Sequence, residues 1–112
     1  MTALCFVDSN VLVYSQAQDE PRKRDIANDL LRMLWRDQNG RLSMQVLSEC
    51  YAALTRKARP PMPPDEAWRE VAVYLAWSPQ VLDGTLLERA HQLSQRYLIN
   101  WWDAQIIAAA EA

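Results

Sequence analysis

The spacing of apolar residues along the chain predicts short buried strands separated by amphipathic helices. Residues 4–7 are all apolar, and a short apolar run between turn residues is typical of a strand buried on both faces. Residues 41–44 and 80–83 are two further short strand candidates. In the segments between them, apolar residues recur at helical spacing. Helices are predicted around residues 11–14, from Pro21 to the Asn39-Gly40 stop, from Ser43 to Lys57, from Pro64 to the Ser78-Pro79 stop, from Gly84 to Leu98, and from Asn100 onward.

Strands that alternate with helices predict an α/β fold. Parallel strands need crossover connections, and helices supply them here, so we expect a short parallel sheet in a three-layer α/β/α arrangement. With 112 residues, the chain has the length of a single domain spanning 1–112. In open sheets of this class the functional site lies beyond the carboxyl ends of the strands. The residues that follow each predicted strand are therefore the first candidates for chemistry.

Composition and charge exclude several classes of protein. Half of the residues are apolar and 23% are charged, which is typical of a globular protein and not of a disordered one. A net charge of −2 excludes a nucleic-acid binder that relies on overall positive charge. Cys5 and Cys50 are isolated in apolar segments, so we expect buried, reduced thiols. No apolar run is long enough to span a bilayer and no secretory leader is recognisable, so we expect a cytoplasmic protein without a membrane partner.

Three carboxylates occur early in segments that follow a strand or a strand-like turn. Asp8 follows the first strand directly, Glu49 lies on the helix after the second, and Asp103 comes three residues after Asn100. Each has a structural alternative: Asp8 can cap the next helical turn, Glu49 can be a solvated surface residue, and Asp103 can form a capping box with Asn100. No cation three or four residues after Glu49 explains it as half of an ion pair. Glu49 shares a polar strip of its helix with Gln45, Ala52, Ala53 and Arg56.

Taken together, the three carboxylates predict a metal site. In a parallel sheet they would converge on one end, where unpaired negative charges repel one another and raise each other's pKa values. A divalent cation removes that repulsion. Ligation by oxygen atoms alone suits Mg²⁺ or Mn²⁺.

The segments FVDSNVLVY, LSMQVLSECYAAL and NWWDAQIIAAA resemble the three successive blocks of the PIN-domain ribonucleases. The order and spacing of the acids also resemble those of the toxin component of VapBC-type toxin–antitoxin modules. The resemblance implies a Mg²⁺- or Mn²⁺-dependent endoribonuclease that is neutralised by a partner antitoxin. It implies that Asp8, Glu49 and Asp103 are the catalytic, metal-binding acids, and that Ser9 or Asn10 helps to order the site.

Members of this family continue after the third acid's helix with another strand, a turn that carries a fourth acid, and usually a further strand. The sequence in hand stops at Ala112, before those elements. We therefore expect a C-terminally truncated PIN-like domain that lacks the last strands of the family fold. The first strand would then be an open edge, and open edges are templates for another chain. We therefore expect at least a homodimer, with a symmetric contact through apolar helix faces or this edge, and weak or no nuclease activity compared with a longer form.

Other features have two interpretations each. The group Arg22, Lys23 and Arg24 is either an RNA-phosphate contact or a solvated helix start. Trp101 and Trp102 either stack on a base or, at least for one of them, pack at the start of the last helix. The rival to the enzyme is a catalytically inactive interaction module, in which the acids are caps and the apolar helix faces bind a partner or a second copy. Metal dependence separates the two, because only clustered ligands gain stability from the ion.

Overall fold

The sheet at the centre of the molecule is short and parallel. A computed structural model describes residues 4–112. Strand β1 (Cys5–Phe6) pairs with β2 (Gly40–Arg41), with Cys5 opposite Gly40 and Phe6 opposite Arg41. The parallel pairing of the two strands confirms the predicted sheet direction.

The third strand expected over residues 80–83 is reduced to a single bridge between Ser43 and Gln80. The backbone N–H of Gln80 donates to the carbonyl of Leu42 over 3.0 Å, and the N–H of Met44 donates to the carbonyl of Gln80 over 3.0 Å. Pairing goes no farther because the next residues, Val81 and Leu82, turn out into solvent. The expected strand was therefore correct in place and direction but too long.

Helices make up most of the remaining structure, and their bounds follow the predicted ones closely. Those before β2 are α1 (Ser9–Tyr14) and α2 (Pro21–Asp37). Those after it are α3 (Met44–Arg56), α4 (Pro64–Ala72) with a 3₁₀ turn (Val73–Trp77), α5 (Gly84–Tyr97) and α6 (Trp101–Glu111). None of these helices combines the length and apolar character needed to cross a membrane.

Side chains cap the helices where the sequence indicates. The Ser43 hydroxyl accepts the N–H of Val46 at the start of α3 (3.1 Å), and Asp83 accepts the N–H of Leu86 at the start of α5 (2.9 Å). At its other end, α2 stops before Gln38, whose φ of 55° is left-handed. Gln38 thus ends the helix, and Gly40, expected to stop it, belongs to β2. Glycine is required at position 40 because the ring of Trp77 covers it and leaves no room for a Cβ atom.

Two apolar clusters cover opposite sides of β1. The larger one joins residues of α1, α2, α3 and α4 to Val7 and Leu42. The smaller one lies between α5 and α6, and Phe6 packs against both clusters. Adjacent strand residues point to opposite faces of a sheet, so Phe6 and Val7 connect β1 to both layers of helices. The α/β class with helices on both faces is thereby confirmed.

Candidate functional site

Asp8 lies where β1 ends and α1 begins. Its Oδ1 accepts the backbone N–H of Ser9 over 2.7 Å, so the carboxylate caps the first turn of the helix. The residue is nevertheless exposed, and much of its carboxylate faces solvent at the carboxyl end of the sheet. The capping interpretation of Asp8 fits this geometry, and the cap uses one lone pair of the carboxylate and leaves the others available to a ligand.

The Ser9 hydroxyl connects Asp8 to Glu49, which is 41 residues away in the chain. Its Oγ lies 3.3 Å from Asp8 Oδ1 and 3.2 Å from Glu49 Oε2. A hydroxyl has one proton and can donate to only one of the two carboxylates at a time. On the far side of Glu49, the Gln45 amide donates to Oε1 over 3.2 Å. Packing of α1 against α3 thus brings two of the three predicted acids to one polar group.

Asp103 belongs to a different hydrogen-bonded group. Its backbone N–H donates to Asn100 Oδ1 over 2.8 Å, and its Oδ2 accepts from Asn100 Nδ2 over 2.6 Å. Asn100 thus caps α6, as in the structural alternative, but the carboxylate of Asp103 accepts from the Asn100 side chain and not from its backbone N–H, as a full capping box would require. Across residues 4–112, no three or more His, Cys, Asp or Glu side chains are grouped so as to hold a metal ion. The structure joins Asp8 to Glu49 and does not gather the three acids into one metal-binding group.

A cleft of about 670 Å³ begins at Glu49, the member of the acid pair (Asp8 and Glu49) that lines it. Ser9, Asn10 and Glu49 line one part of it, and it continues along α3 toward the segment 57–63. Ala52 and Ala53 also line it, so the polar strip that carries Glu49 faces this cleft. The strip was visible in the sequence, but the cleft was not, because its other walls come from α1 and from the loop before α2.

The basic side chains of the cleft differ from those that the sequence singled out. Arg56, Lys57 and Arg59 line it and are exposed. A signal for one of them was present, since Arg56 lies on the same helical strip as Glu49. The other two follow the end of α3, in a segment whose path the sequence alone does not give.

The predicted group at the start of α2 is largely occupied by local contacts. Lys23 Nζ lies 3.2 Å from Glu20 Oε1 and 4.9 Å from the centre of the Tyr14 ring, and the hydrogen bond to Glu20 raises the pKa of its ammonium group. Arg24 lies 3.8 Å from Asp25. Arg22 is exposed and does not line the cleft.

Other reactive or aromatic side chains lie outside this group. Cys50 is buried, and desolvation raises the pKa of its thiol to about 12, so it is not a nucleophile at neutral pH. Cys5 is partly buried and also carries a free thiol. Trp101 and Trp102 are 39% and 64% exposed, so neither is fully packed at the start of α6.

The sequence model of the PIN domain matches residues 5–112, which is nearly the whole chain. No curated protein matches the chain in sequence. The matched region contains every residue of the acid pair, of the Asn100–Asp103 group and of the cleft.

Proposed function

The chain belongs to the PIN-domain family, and we propose that it is a divalent-metal-dependent endoribonuclease that hydrolyses RNA phosphodiester bonds. PIN domains are generally nucleases, and those that cut RNA use divalent metal ions. The observation that carries the proposal is the linkage of Asp8 to Glu49 through the Ser9 hydroxyl at the carboxyl end of β1. This is the end of an α/β sheet at which ligands bind.

The donor set fits a hard cation. Mg²⁺ in proteins keeps several waters and is bound through one or two carboxylates together with substrate phosphate, and Asp8 and Glu49 supply two. We propose that Asp103 completes the set, as the family resemblance implies. When bound, the ion supplies Lewis-acid polarisation of the phosphate and activation of water. The Ser9 hydroxyl and the Gln45 amide orient the two carboxylates, with Gln45 fixing Oε1 of Glu49.

The first prediction tests Asp8 by substitution. Asp8→Asn should retain the fold, because asparagine caps a helix as well as aspartate does. It should lose RNA cleavage and the rise in melting temperature that Mn²⁺ gives the parent protein, because the neutral amide is a poor ligand for a hard cation. Cleavage of a labelled single-stranded RNA and thermal unfolding with and without Mn²⁺ measure both.

Asp83→Asn is the matched control, since Asp83 caps α5 through the same kind of bond (2.9 Å to the Leu86 N–H). It should cleave RNA like the parent. Parent-like cleavage by Asp8→Asn would show that Asp8 is a cap and nothing more.

We also propose a cytoplasmic toxin that a partner antitoxin protein neutralises. The support is the resemblance of the three acid-bearing blocks to VapBC-type toxins. Expression in a bacterial host should arrest growth for the parent and not for Asp8→Asn. Growth arrest by both proteins would show that toxicity does not depend on Asp8.

A second candidate function, a catalytically inactive interaction module, is favoured by an apolar depression of about 490 Å³ between α3 and α4. We propose that this face forms a homodimer contact, which is the kind of interaction that the second function requires. Under the second function the acids would be caps, and Mn²⁺ would leave the melting temperature unchanged. The apolar lining of the depression is Met44, Leu47, Tyr51, Trp68, Val71 and Leu75.

A further inference from the structure

Three exposed cations, Arg56, Lys57 and Arg59, form a basic wall of the cleft along α3. Arg56, Lys57 and Arg59 form no ion pair with any side chain in the part of the chain that the structure describes. By contrast, Arg32 and Arg36 on α2 lie 3.0 Å from Asp29 and Asp37. A set of three adjacent cations left unpaired beside a cleft is available to an anionic ligand.

The position of this wall is fixed by backbone contacts. The N–H of Met62 donates to the carbonyl of Leu54 over 2.8 Å, which folds the segment after α3 back along the helix. Met62 also packs against the larger apolar cluster. Arg59 is therefore held beside the last turn of α3, where Arg56 and Lys57 already lie. Small side chains, Ala52 and Ala53, leave room between this wall and α1.

We propose that the cleft binds one strand of RNA, with Arg56, Lys57 and Arg59 contacting its phosphates. The inference rests on the proposed nuclease function and names the path by which the substrate reaches the acid pair. Arg and Lys contacts to phosphate supply most of the affinity of such complexes. The same cleft is lined by Ser9 and Glu49, so a strand lying in it extends to the acid pair.

The carboxylates of the cleft favour a single strand as the ligand. Asp19, Glu20, Glu49 and Glu66 line the cleft together with the basic wall, and their carboxylates repel phosphate. A duplex presents phosphates on both of its edges and would place one edge against these acids. A single strand has one line of phosphates to place against the basic wall, and the cleft also offers its bases the apolar surfaces of Tyr14 and Met62.

The test measures binding apart from cleavage. A fluorescein-labelled single-stranded RNA is titrated with protein in EDTA, and anisotropy gives the dissociation constant at several salt concentrations. A triple variant, Arg56→Ala with Lys57→Ala and Arg59→Ala, should bind at least roughly tenfold more weakly at low salt. The slope of log K against log salt should fall by about 2, since each phosphate contact to a single strand contributes about 0.7.

A charge-matched control separates the cleft from overall charge. Arg32→Ala with Arg69→Ala and Arg96→Ala removes three exposed cations outside the cleft. For this variant, the slope of log K against log salt should differ from the parent's by no more than about 0.7, the contribution of one phosphate contact. Equal losses in both triple variants would overturn the proposal, because binding would then follow net charge alone.

A steric variant tests the same path without changing charge. Ala52 is exposed on α3 and lines the cleft, so Ala52→Trp fills it, whereas Gln95→Trp adds the same ring at an exposed position of α5. Only Ala52→Trp should weaken RNA binding. Parent-like RNA binding by both the cleft triple variant and Ala52→Trp would overturn the proposal and leave the cleft to a protein partner.

The RNA-binding measurement tests the cleft whether or not the protein cleaves RNA. RNA that binds in the cleft but is not cut would support the inference and contradict the proposed nuclease. RNA that is cut at the parent's rate by the cleft triple variant would support the nuclease and contradict the inference. Duplex RNA bound as tightly as the single strand would also contradict it.

Discussion

At the scale of single residues, the site depends on a contact that local sequence does not reveal. Asp8 and Ser9 are neighbours, and the capping bond between them is predictable from residue type. Glu49 reaches Ser9 only because α1 packs on α3, and nothing in the sequence around Glu49 names its partner. The sequence therefore identified which acids to examine, and the packing of helices decides which of them meet.

Cys50 gives a prediction at this scale, because burial raises the pKa of its thiol from about 9 to about 12. Between these values the folded protein holds a proton that the unfolded chain releases. The free energy of unfolding should therefore fall as pH rises from 9 toward 12, and the contribution is fully present below 9. From pH 8 to pH 10 the expected loss is about 1 kcal/mol. Urea unfolding of the parent and of Cys50→Ala at both pH values measures it.

The difference in unfolding free energy between the parent and Cys50→Ala reports the titration of the Cys50 thiol, since all other titrating groups are common to both proteins. Cys50→Ala should be less stable at pH 8, where it leaves a cavity, and the gap should narrow at pH 10. A gap that stays constant over this range would show that the Cys50 thiol titrates normally in the folded protein.

At the scale of elements, sequence periodicity predicted the helices and the parallel pairing of the strands correctly. It did not predict where the third strand and helix α2 end. The third strand was predicted too long because a short segment such as 80–83 does not indicate whether a neighbouring strand exists to pair with it. Gly40 was assigned to a helix stop because glycine is common there. Its actual constraint is tertiary, the approach of Trp77 from a turn 37 residues later, and no local pattern carries that information.

The contact between β2 and the 3₁₀ turn predicts opposite outcomes for the two glycines. Trp77 is held in an aromatic group with Trp35 and Tyr74, at ring-centre distances of 5.1 and 5.0 Å, so its ring cannot move freely. Gly40→Ala would place a methyl group into that ring and should cost about 1–3 kcal/mol of unfolding free energy. Gly84→Ala meets no atom within 4 Å and should be neutral or slightly stabilising, by up to about 1 kcal/mol.

Chemical denaturation of both variants measures the difference, and a double variant identifies its cause. Trp77→Leu removes the ring that obstructs the new methyl group, so adding Gly40→Ala to Trp77→Leu should cost clearly less than adding it to the parent. If the losses of unfolding free energy of the two single variants add up in the double variant, the Trp77 ring is not the cause of the destabilisation by Gly40→Ala.

At the scale of the whole molecule, apolar side chains are distributed unevenly over the surface. Met44, Trp68 and Leu75 are 41%, 56% and 44% exposed, and all three line the depression between α3 and α4. A standard protein interface buries about 800 Å² on each partner, which is about a tenth of the 7562 Å² surface of this chain. A depression bounded by large apolar side chains suits a self-complementary contact, in which each copy inserts the same residues into the other.

We therefore expect a homodimer through this face, and one charge should dissociate it. Trp68→Glu places a carboxylate where the partner's apolar side chains would desolvate it, so sedimentation velocity should show a dimer for the parent and a monomer for the variant. Ile26→Glu is the matched control, because Ile26 is equally exposed (62%) but lies on α2, outside the depression. It should remain dimeric. If the parent sediments as a monomer at every concentration, the predicted homodimer is wrong. If Trp68→Glu is still a dimer, the dimer contact lies on another surface, such as the edge of β1.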